Sequence, residues 1–314
     1  MGTRRGRGVG RIAIAGLLAL IGSALTACLG SPLGPGVPDR SREASVIADE
    51  LRALPGVRSV DGRYSHEPVM GYSFHVDVRL AIDATSEQVA AVADRFHAGL
   101  TGSDFSRHTS RFVAQWDNDV IRVFADDAHR VSPSAEVERW YRLVHDVPGA
   151  VEWAVHADPA KGPRSIGVEL DRPSRDGDPA QLTGLVRLLG ERASDLADRQ
   201  WIVRWRKLRL DLMGPTYPDV PTVALIAALA TTGQWSAVHQ PSAAPTLKLA
   251  VWATAPDRME ATARSDLPRI RALGVPVSYT VRANSTEPIE VLAGGCLPGG
   301  SDLQQRLNRE FGTC

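Results

Sequence analysis

The chain has 314 residues, of which 43% are hydrophobic and 23% charged, with a formal net charge of zero. This is ordinary globular composition, and the length favours about two domains at ~150 residues each. Removing residues 1–27, which hold four arginines and no acid, leaves 32 basic against 36 acidic residues; a balance near −4 excludes a nucleic-acid surface, which needs a net basic footprint.

The N-terminal segment has the pattern of an export signal. A basic stretch, MGTRRGRGVGR, precedes an uncharged run from Ile12 to Ala27. That run is shorter than the ~20 residues that span a bilayer, and it fits the apolar region of a signal peptide. It ends in Leu25-Thr26-Ala27-Cys28, which resembles the lipobox of bacterial lipoproteins: an aliphatic residue, a small residue, Gly or Ala, then Cys.

The lipobox resemblance implies a site of cleavage and lipidation. Signal peptidase II would cut between Ala27 and Cys28, and Cys28 would carry a diacylglyceryl thioether and fatty acids such as palmitate. Two or more acyl chains hold a protein stably on a membrane, so the resemblance implies a lipid-anchored protein on the extracytoplasmic face of the cell membrane. The alternatives are an uncleaved N-terminal helix with an incidental cysteine and, through Arg4-Arg5, twin-arginine rather than general secretion.

Two further features of composition concern the whole chain and the segment after Cys28. Arginine accounts for all but three of the 36 basic residues, which is typical of a high-GC bacterial genome, as in actinobacteria. Residues 28–42 are rich in Pro and Gly without periodicity and are predicted to be a flexible tether after the lipidated cysteine.

The remainder contains an internal repeat. Pro55-Gly56 matches Pro148-Gly149 at an offset of 93, and each pair ends an amphipathic helix and precedes two strands and a second capped helix. A weaker third copy starts near Val220. We therefore predict three α+β modules, at 43–130, 131–214 and 215–314.

Each module is predicted to have the order α-β-β-α-β, with room for a sixth element. Alternation of apolar and polar residues from Phe74 to Leu80 indicates a half-buried strand. Asp117-Asn118-Asp119 is typical of a hairpin turn. The expected fold class is α+β, with antiparallel sheets covered by helices in ferredoxin-like layers; separate domains and one shared sheet remain alternatives.

Cys296 and Cys314 remain once Cys28 is lipidated. Outside the cytoplasm two such thiols usually pair, so we predict a disulfide that closes the C-terminal tail. The alternative is two free thiols. Between them Ser301 or Asp302 can cap a short helix that runs to about Phe311.

No residue is assigned to catalysis, to a metal or to a cofactor. The chain contains neither Gly-x-Ser-x-Gly nor His-Glu-x-x-His. One candidate ligand surface rests on the strand around residue 203: Trp201 and Trp205 alternate with Arg204 and Arg206, which predicts either an aromatic groove rimmed by arginine or, as the alternative, core packing.

These features favour a membrane-anchored extracytoplasmic lipoprotein that is a non-catalytic binding or accessory module of the cell envelope. Its expected partners are the membrane, through lipid on Cys28, and an envelope protein, glycan or lipid, but no nucleic acid. The alternative is an envelope hydrolase whose active site has no recognised motif.

Overall fold

The computed structural model describes residues 37–67, 71–124, 133–155, 165–170, 178–284 and 286–313. Within these ranges the chain forms seven α-helices and twelve strands. The helices are α1 (Ser41–Arg52), α2 (Ser86–Gly102), α3 (Ser134–Asp146), α4 (Pro179–Arg192), α5 (Val220–Ala230), α6 (Met259–Arg271) and α7 (Asp302–Phe311). The strands are β1 (Val57–Glu67), β2 (Gly71–Leu80), β3 (Thr109–Trp116), β4 (Asp119–Phe124), β5 (Ala150–Val155), β6 (Ser165–Glu169), β7 (Gln200–Trp205), β8 (Leu208–Met213), β9 (Gln234–His239), β10 (Leu247–Trp252), β11 (Val277–Arg282) and β12 (Ile289–Ala293).

The twelve strands form one mixed sheet in chain order from β1 to β12. A helix followed by an antiparallel hairpin occurs six times, and successive hairpins are joined by parallel pairs such as β2 with β3 and β10 with β11. The expectation of antiparallel sheets is therefore wrong. Helices α2 to α6 each lie between two hairpins, and a helical crossover is the usual way to bring neighbouring strands into parallel pairing. The strands follow one another in chain order, which differs from the predicted ferredoxin-like layering. The strands of the three predicted modules belong to this one sheet.

Turn residues and helix caps explain the local structure. Asp117 and Arg206 adopt the left-handed region, with φ of 52° and 55°, in the tight turns of the β3–β4 and β7–β8 hairpins. Thr85 and Gln88 form a capping box at the start of α2. Asp219 and Ser301 cap α5 and α7 through their side-chain oxygens. The Asp117 turn and the Ser301 helix confirm the corresponding predictions, whereas α1 begins at Ser41, inside the predicted tether.

One face of the sheet forms the core. Inward side chains stay in register from strand to strand, as in the succession Val76, Phe112 and Val123, and the buried apolar residues of helices and strands belong to a single cluster. Arg40–Cys314 is one compact unit. The helices therefore pack against a single continuous face, which we call the covered face.

The edge strand β12 is protected by helix α7. At the β12 edge, the side-chain amide of Asn308 in α7 accepts from the Leu292 N–H at 3.2 Å and donates to the Glu290 carbonyl at 3.3 Å. Asn308 is only 2% exposed. Its amide thus continues the pairing that another strand would supply, which protects the edge from association with another chain.

None of the helices in the described ranges combines the length and apolar composition needed to cross a membrane.

Candidate interaction surface

The second face of the sheet, which we call the open face, carries polar and charged side chains that are mostly half-buried or exposed. Strand alternation places them there: in β2, Phe74, Val76 and Val78 point into the core, while His75 and Asp77 point away from it. The basic side chains are Arg63, Arg79, Arg111, Arg122, Arg204, Arg209, Lys248 and Arg282. The acidic ones are Asp61, Glu67, Asp77, Glu152, Glu169, Asp211 and Glu290. Both signs are therefore present in nearly equal numbers.

A network of ion pairs crosses the first strands of this face. The Arg63 guanidinium lies 2.7 Å from Asp61 and 3.2 Å from Asp77, and Arg111 approaches Asp77 at 3.9 Å. Arg122 pairs with Glu152 on β5. A shallow depression of about 390 Å³ on β1–β4 is bordered by Asp61, Arg63, Asp77 and Arg122. The arrangement holds flexible charged side chains in place on the surface, so it presents a defined charge pattern to a partner.

Burial and nearby positive charge favour the neutral form of His75, which lies among these ion pairs. Burial lowers the pKa of its imidazole, and the positive charge of Arg111 lowers it further, against a smaller opposing effect of Asp77. A neutral imidazole can donate through one ring nitrogen and accept through the other. The network therefore offers cationic, anionic and neutral hydrogen-bonding groups side by side.

The prediction that Trp201 and Trp205 form a ligand surface is wrong, because both side chains are buried. Both indoles are 0% exposed on the covered face, and the Trp201 N–H donates to the Leu196 carbonyl at 3.1 Å. They cannot line an accessible groove, and the alternative of core packing is confirmed for them. Arg204 is exposed on the open face, and Arg206 is exposed in the β7–β8 turn with its guanidinium 5.8 Å from the Trp205 ring centroid.

The predicted lipidation and cleavage residues, Ala27 and Cys28, lie outside the described residues, so both assignments stay predictions. Cys314 lies outside them as well, and its pairing with Cys296 stays a prediction. The backbone next to both cysteines is hydrogen-bonded, because the Thr313 N–H donates to the Gly295 carbonyl at 2.8 Å. This bond brings the two ends of the predicted loop together, which favours the pairing.

Non-reducing peptide mapping of the native protein is expected to recover Cys296 joined to Cys314. The Thr313–Gly295 bond keeps the ends close in the folded state, and an oxidising compartment favours the disulfide. Closure of a loop of this size stabilises by ~3 kcal/mol in the chain-entropy estimate. Quantitative alkylation of both thiols without prior reduction would contradict the pairing, and the reduced protein is the control.

Carboxylates of the β3–β4 turn have a structural role. Asp119 is buried and accepts from the Val151 N–H at 2.7 Å, across to β5. Burial raises the pKa of this carboxyl, and the neighbouring Asp117 adds to the rise, while the Val151 hydrogen bond opposes it.

No group of three or more His, Cys, Asp or Glu side chains in the described parts of the chain is arranged to hold a metal ion.

The open face is the feature that sequence reasoning missed. The polar half of β2 is evident from its alternation, but the pairing of Asp77 with Arg63 and Arg111 depends on strand order, which no local pattern encodes.

A scan against protein-family models and searches of curated proteins and of solved structures find no match to this chain.

Proposed function

We propose that this protein is an extracytoplasmic lipoprotein, anchored through Cys28, that serves as a non-catalytic docking module for another protein of the cell envelope. The observation that carries the proposal is the open face of the twelve-stranded sheet, which no described helix covers. The lipobox resemblance supports the location.

The size of the open face supports a macromolecular partner. Twelve strands at ~4.8 Å spacing give a width of about 53 Å, and six residues along each strand give a height of about 20 Å. The resulting area of about 1,000 Å² is similar to the ~800 Å² that each partner buries in a standard protein interface.

The charge pattern favours a folded protein over a polyanion. Arg63, Arg122 and Arg204 alternate along the face with acids such as Asp77 and Glu152. A surface that binds nucleic acid or anionic lipid presents mainly one sign of charge. Mixed charge instead suits a partner with a complementary mixed pattern, where electrostatics contribute specificity and association rate.

The tether is consistent with docking away from the bilayer. Residues 28–40 precede α1, and at ~3.3–3.6 Å per residue an extended tether of that length reaches ~45 Å. A partner seated on the open face could then belong to the membrane or to the layer outside it.

We also propose that the three sequence modules arose as repeats of a larger unit. Residues 43–130 and 131–214 each hold two of the helix–hairpin units, and 215–314 hold two more followed by α7. In repeat architectures each unit buries its apolar face against its neighbours, and the terminal elements act as caps. The repeat builds an extended sheet, which is how a small unit can produce a broad docking face.

The docking proposal predicts face-specific crosslinking in intact cells. A photo-activated amino acid placed at Arg79 or Lys248, both exposed on the open face, is expected to capture one partner. The same probe at Arg187, which is exposed on α4 over the covered face, is the matched control and is expected to capture none. Adducts should be detected by mass and identified by peptide sequencing.

A charge reversal makes this test specific. Arg204→Glu changes an exposed open-face side chain outside the ion pairs described above, so it is expected to reduce the Arg79 and Lys248 adducts several-fold without unfolding the protein. Equal adducts from all three positions, or adducts that are only carbohydrate or lipid, would overturn the proposal of a protein partner.

The anchor makes a separate prediction. Cys28→Ser removes the only thiol at the lipobox, so the variant is expected to lose acylation and to leave the detergent phase on phase partitioning. The Cys296→Ser variant is the control and should stay in that phase. Retention of Cys28→Ser in the detergent phase would show that the anchor assignment is wrong, whatever the open face binds.

A further inference from the structure

A cavity of about 860 Å³ opens at one end of the sheet, beside the parallel strands β10 and β11. The two strands are joined by the crossover helix α6, and the cavity lies between the first half of that helix and the carboxyl ends of the strands, at Trp252 and Asn284. The volume lies in the range of small-molecule sites.

The inner wall of the cavity is a buried polar pair. Asp266 of α6 is 4% exposed and lines the cavity, and its carboxylate accepts from the Tyr279 hydroxyl at 2.7 Å. Burial raises the pKa of Asp266, although the Tyr279 hydrogen bond and the Arg269 charge oppose this rise. A carboxyl held in a fixed orientation at the inside of a cavity is suited to orient a hydroxyl or amide group of a ligand.

The side walls combine an aromatic surface with hydroxyl groups. Trp252 is half-buried at the end of β10 and belongs to the lining, and strand alternation places its ring on the open face, where the Arg282 guanidinium lies 5.9 Å from the ring centroid. The hydroxyls of Thr232 and Thr262 donate to the backbone carbonyls of Leu229 and Arg258, at 2.7 and 2.9 Å. Since those protons are used, the two hydroxyl oxygens remain as acceptors, which a ligand rich in hydroxyl donors can satisfy.

Two cations complete the lining at the rim. Lys207, in the β7–β8 turn, and Arg258, just before α6, are exposed and border the same cavity. Neither forms an ion pair within the part of the chain that the structure describes. Cations at the mouth of a polar cavity attract and bind a carboxylate on the ligand.

We propose that this cavity binds a short acidic saccharide, with Trp252 packing against a sugar ring and Lys207 and Arg258 binding its carboxylate. Aromatic surface, hydroxyl acceptors, a buried carboxyl and two cations together are the groups that recognise a hydroxylated ring with an acid substituent. The site adjoins the open face at the end of β10, where Trp252 lies, whereas the buried Asp266–Tyr279 pair lies on the covered face. The choice of probe below rests on the proposed location in the envelope, whereas the binding measurement itself does not require the anchor.

The test uses two disaccharides of matched size with the mature full-length chain in detergent micelles. The acidic probe is N-acetylglucosaminyl-N-acetylmuramic acid, and the neutral control is N,N′-diacetylchitobiose, which lacks the lactyl carboxylate. Calorimetric titration is expected to show at least tenfold tighter binding of the acidic probe. Failure of this result leaves the Cys28→Ser outcome unaffected, so the two proposals can fail independently.

Variants separate the contributions of charge and ring. The double variant Lys207→Gln with Arg258→Gln is expected to remove the preference for the acidic probe, and Trp252→Ala is expected to weaken both probes by about tenfold. Lys248→Gln, on the same strand and the same face as Trp252 but outside the lining, is the matched control and should bind both probes as the wild type does. Thermal unfolding of each variant shows that it is folded.

Absence of binding of either probe at millimolar concentration would overturn the proposal. Equal affinity for the two probes, or a preference that survives in the double variant, would overturn the role of Lys207 and Arg258. A loss with Lys248→Gln equal to that of the double variant would place the binding site at the middle of β10 rather than at its end and would also overturn the assignment.

Discussion

Trp201→Ala is expected to lower the free energy of unfolding by ~3–5 kcal/mol, the usual range for removing a buried aromatic side chain. The indole is fully buried in β7, and Ile166 and Leu212 lie beside it in register on the neighbouring strands. Its removal leaves a cavity, and the Leu196 carbonyl loses its 3.1 Å hydrogen bond. Denaturant unfolding followed by circular dichroism measures the loss.

The control lies three residues further along the strand. Arg204→Ala changes a side chain on the open face and is expected to alter stability by no more than ~0.5 kcal/mol. Should the alanine variant of Trp201 not fold, Trp201→Phe keeps most of the ring volume and should give a smaller, measurable loss. A decrease in the free energy of unfolding below ~1 kcal/mol for Trp201→Ala, or a similar decrease for Arg204→Ala, would contradict core packing and support the accessible aromatic groove.

This prediction also shows what a strand pattern can and cannot specify. Alternation separates Trp201 and Trp205 from Arg204, and that separation is correct. Alternation does not specify which of two faces the helices cover, since an exposed aromatic groove and a core have the same local pattern. Only the continuous register with β6 and β8 resolves the choice.

Local sequence patterns predicted the turns and helix caps, but they did not predict which strands pair with each other. The Asp117 turn and the Ser301 cap act within a few residues, so each is readable from the sequence. The parallel pairing of β2 with β3 joins residues that lie on either side of α2. The detected offset of 93 spans two helix–hairpin units.

The burial of polar groups in the candidate sites could not be predicted from the sequence for a related reason. Asp266 and Asn308 lie in amphipathic helices, where a polar residue is normally assigned to solvent. Each is buried, because its partner, Tyr279 for the first and the β12 backbone for the second, comes from a strand elsewhere in the chain. Such pairs become visible only when the packing is known.

Asn308→Leu is expected to lower the free energy of unfolding by about 2–4 kcal/mol and to promote self-association. Leucine has a similar size, so the change removes hydrogen bonds with little loss of volume. The Leu292 N–H and the Glu290 carbonyl, at the edge of β12, then lose their partner. An unsatisfied buried group costs ~1–3 kcal/mol.

Association is the second consequence, because the edge of β12 becomes a row of unpaired backbone groups that another chain can pair with. Light scattering at increasing protein concentration measures it, alongside denaturant unfolding. Arg306→Ala, an exposed position on the same helix, is the matched control and should leave both measurements unchanged. If Asn308→Leu unfolds as the wild type does and stays at the same mass, the edge is protected by the body of α7, and the Asn308 amide has no part in it.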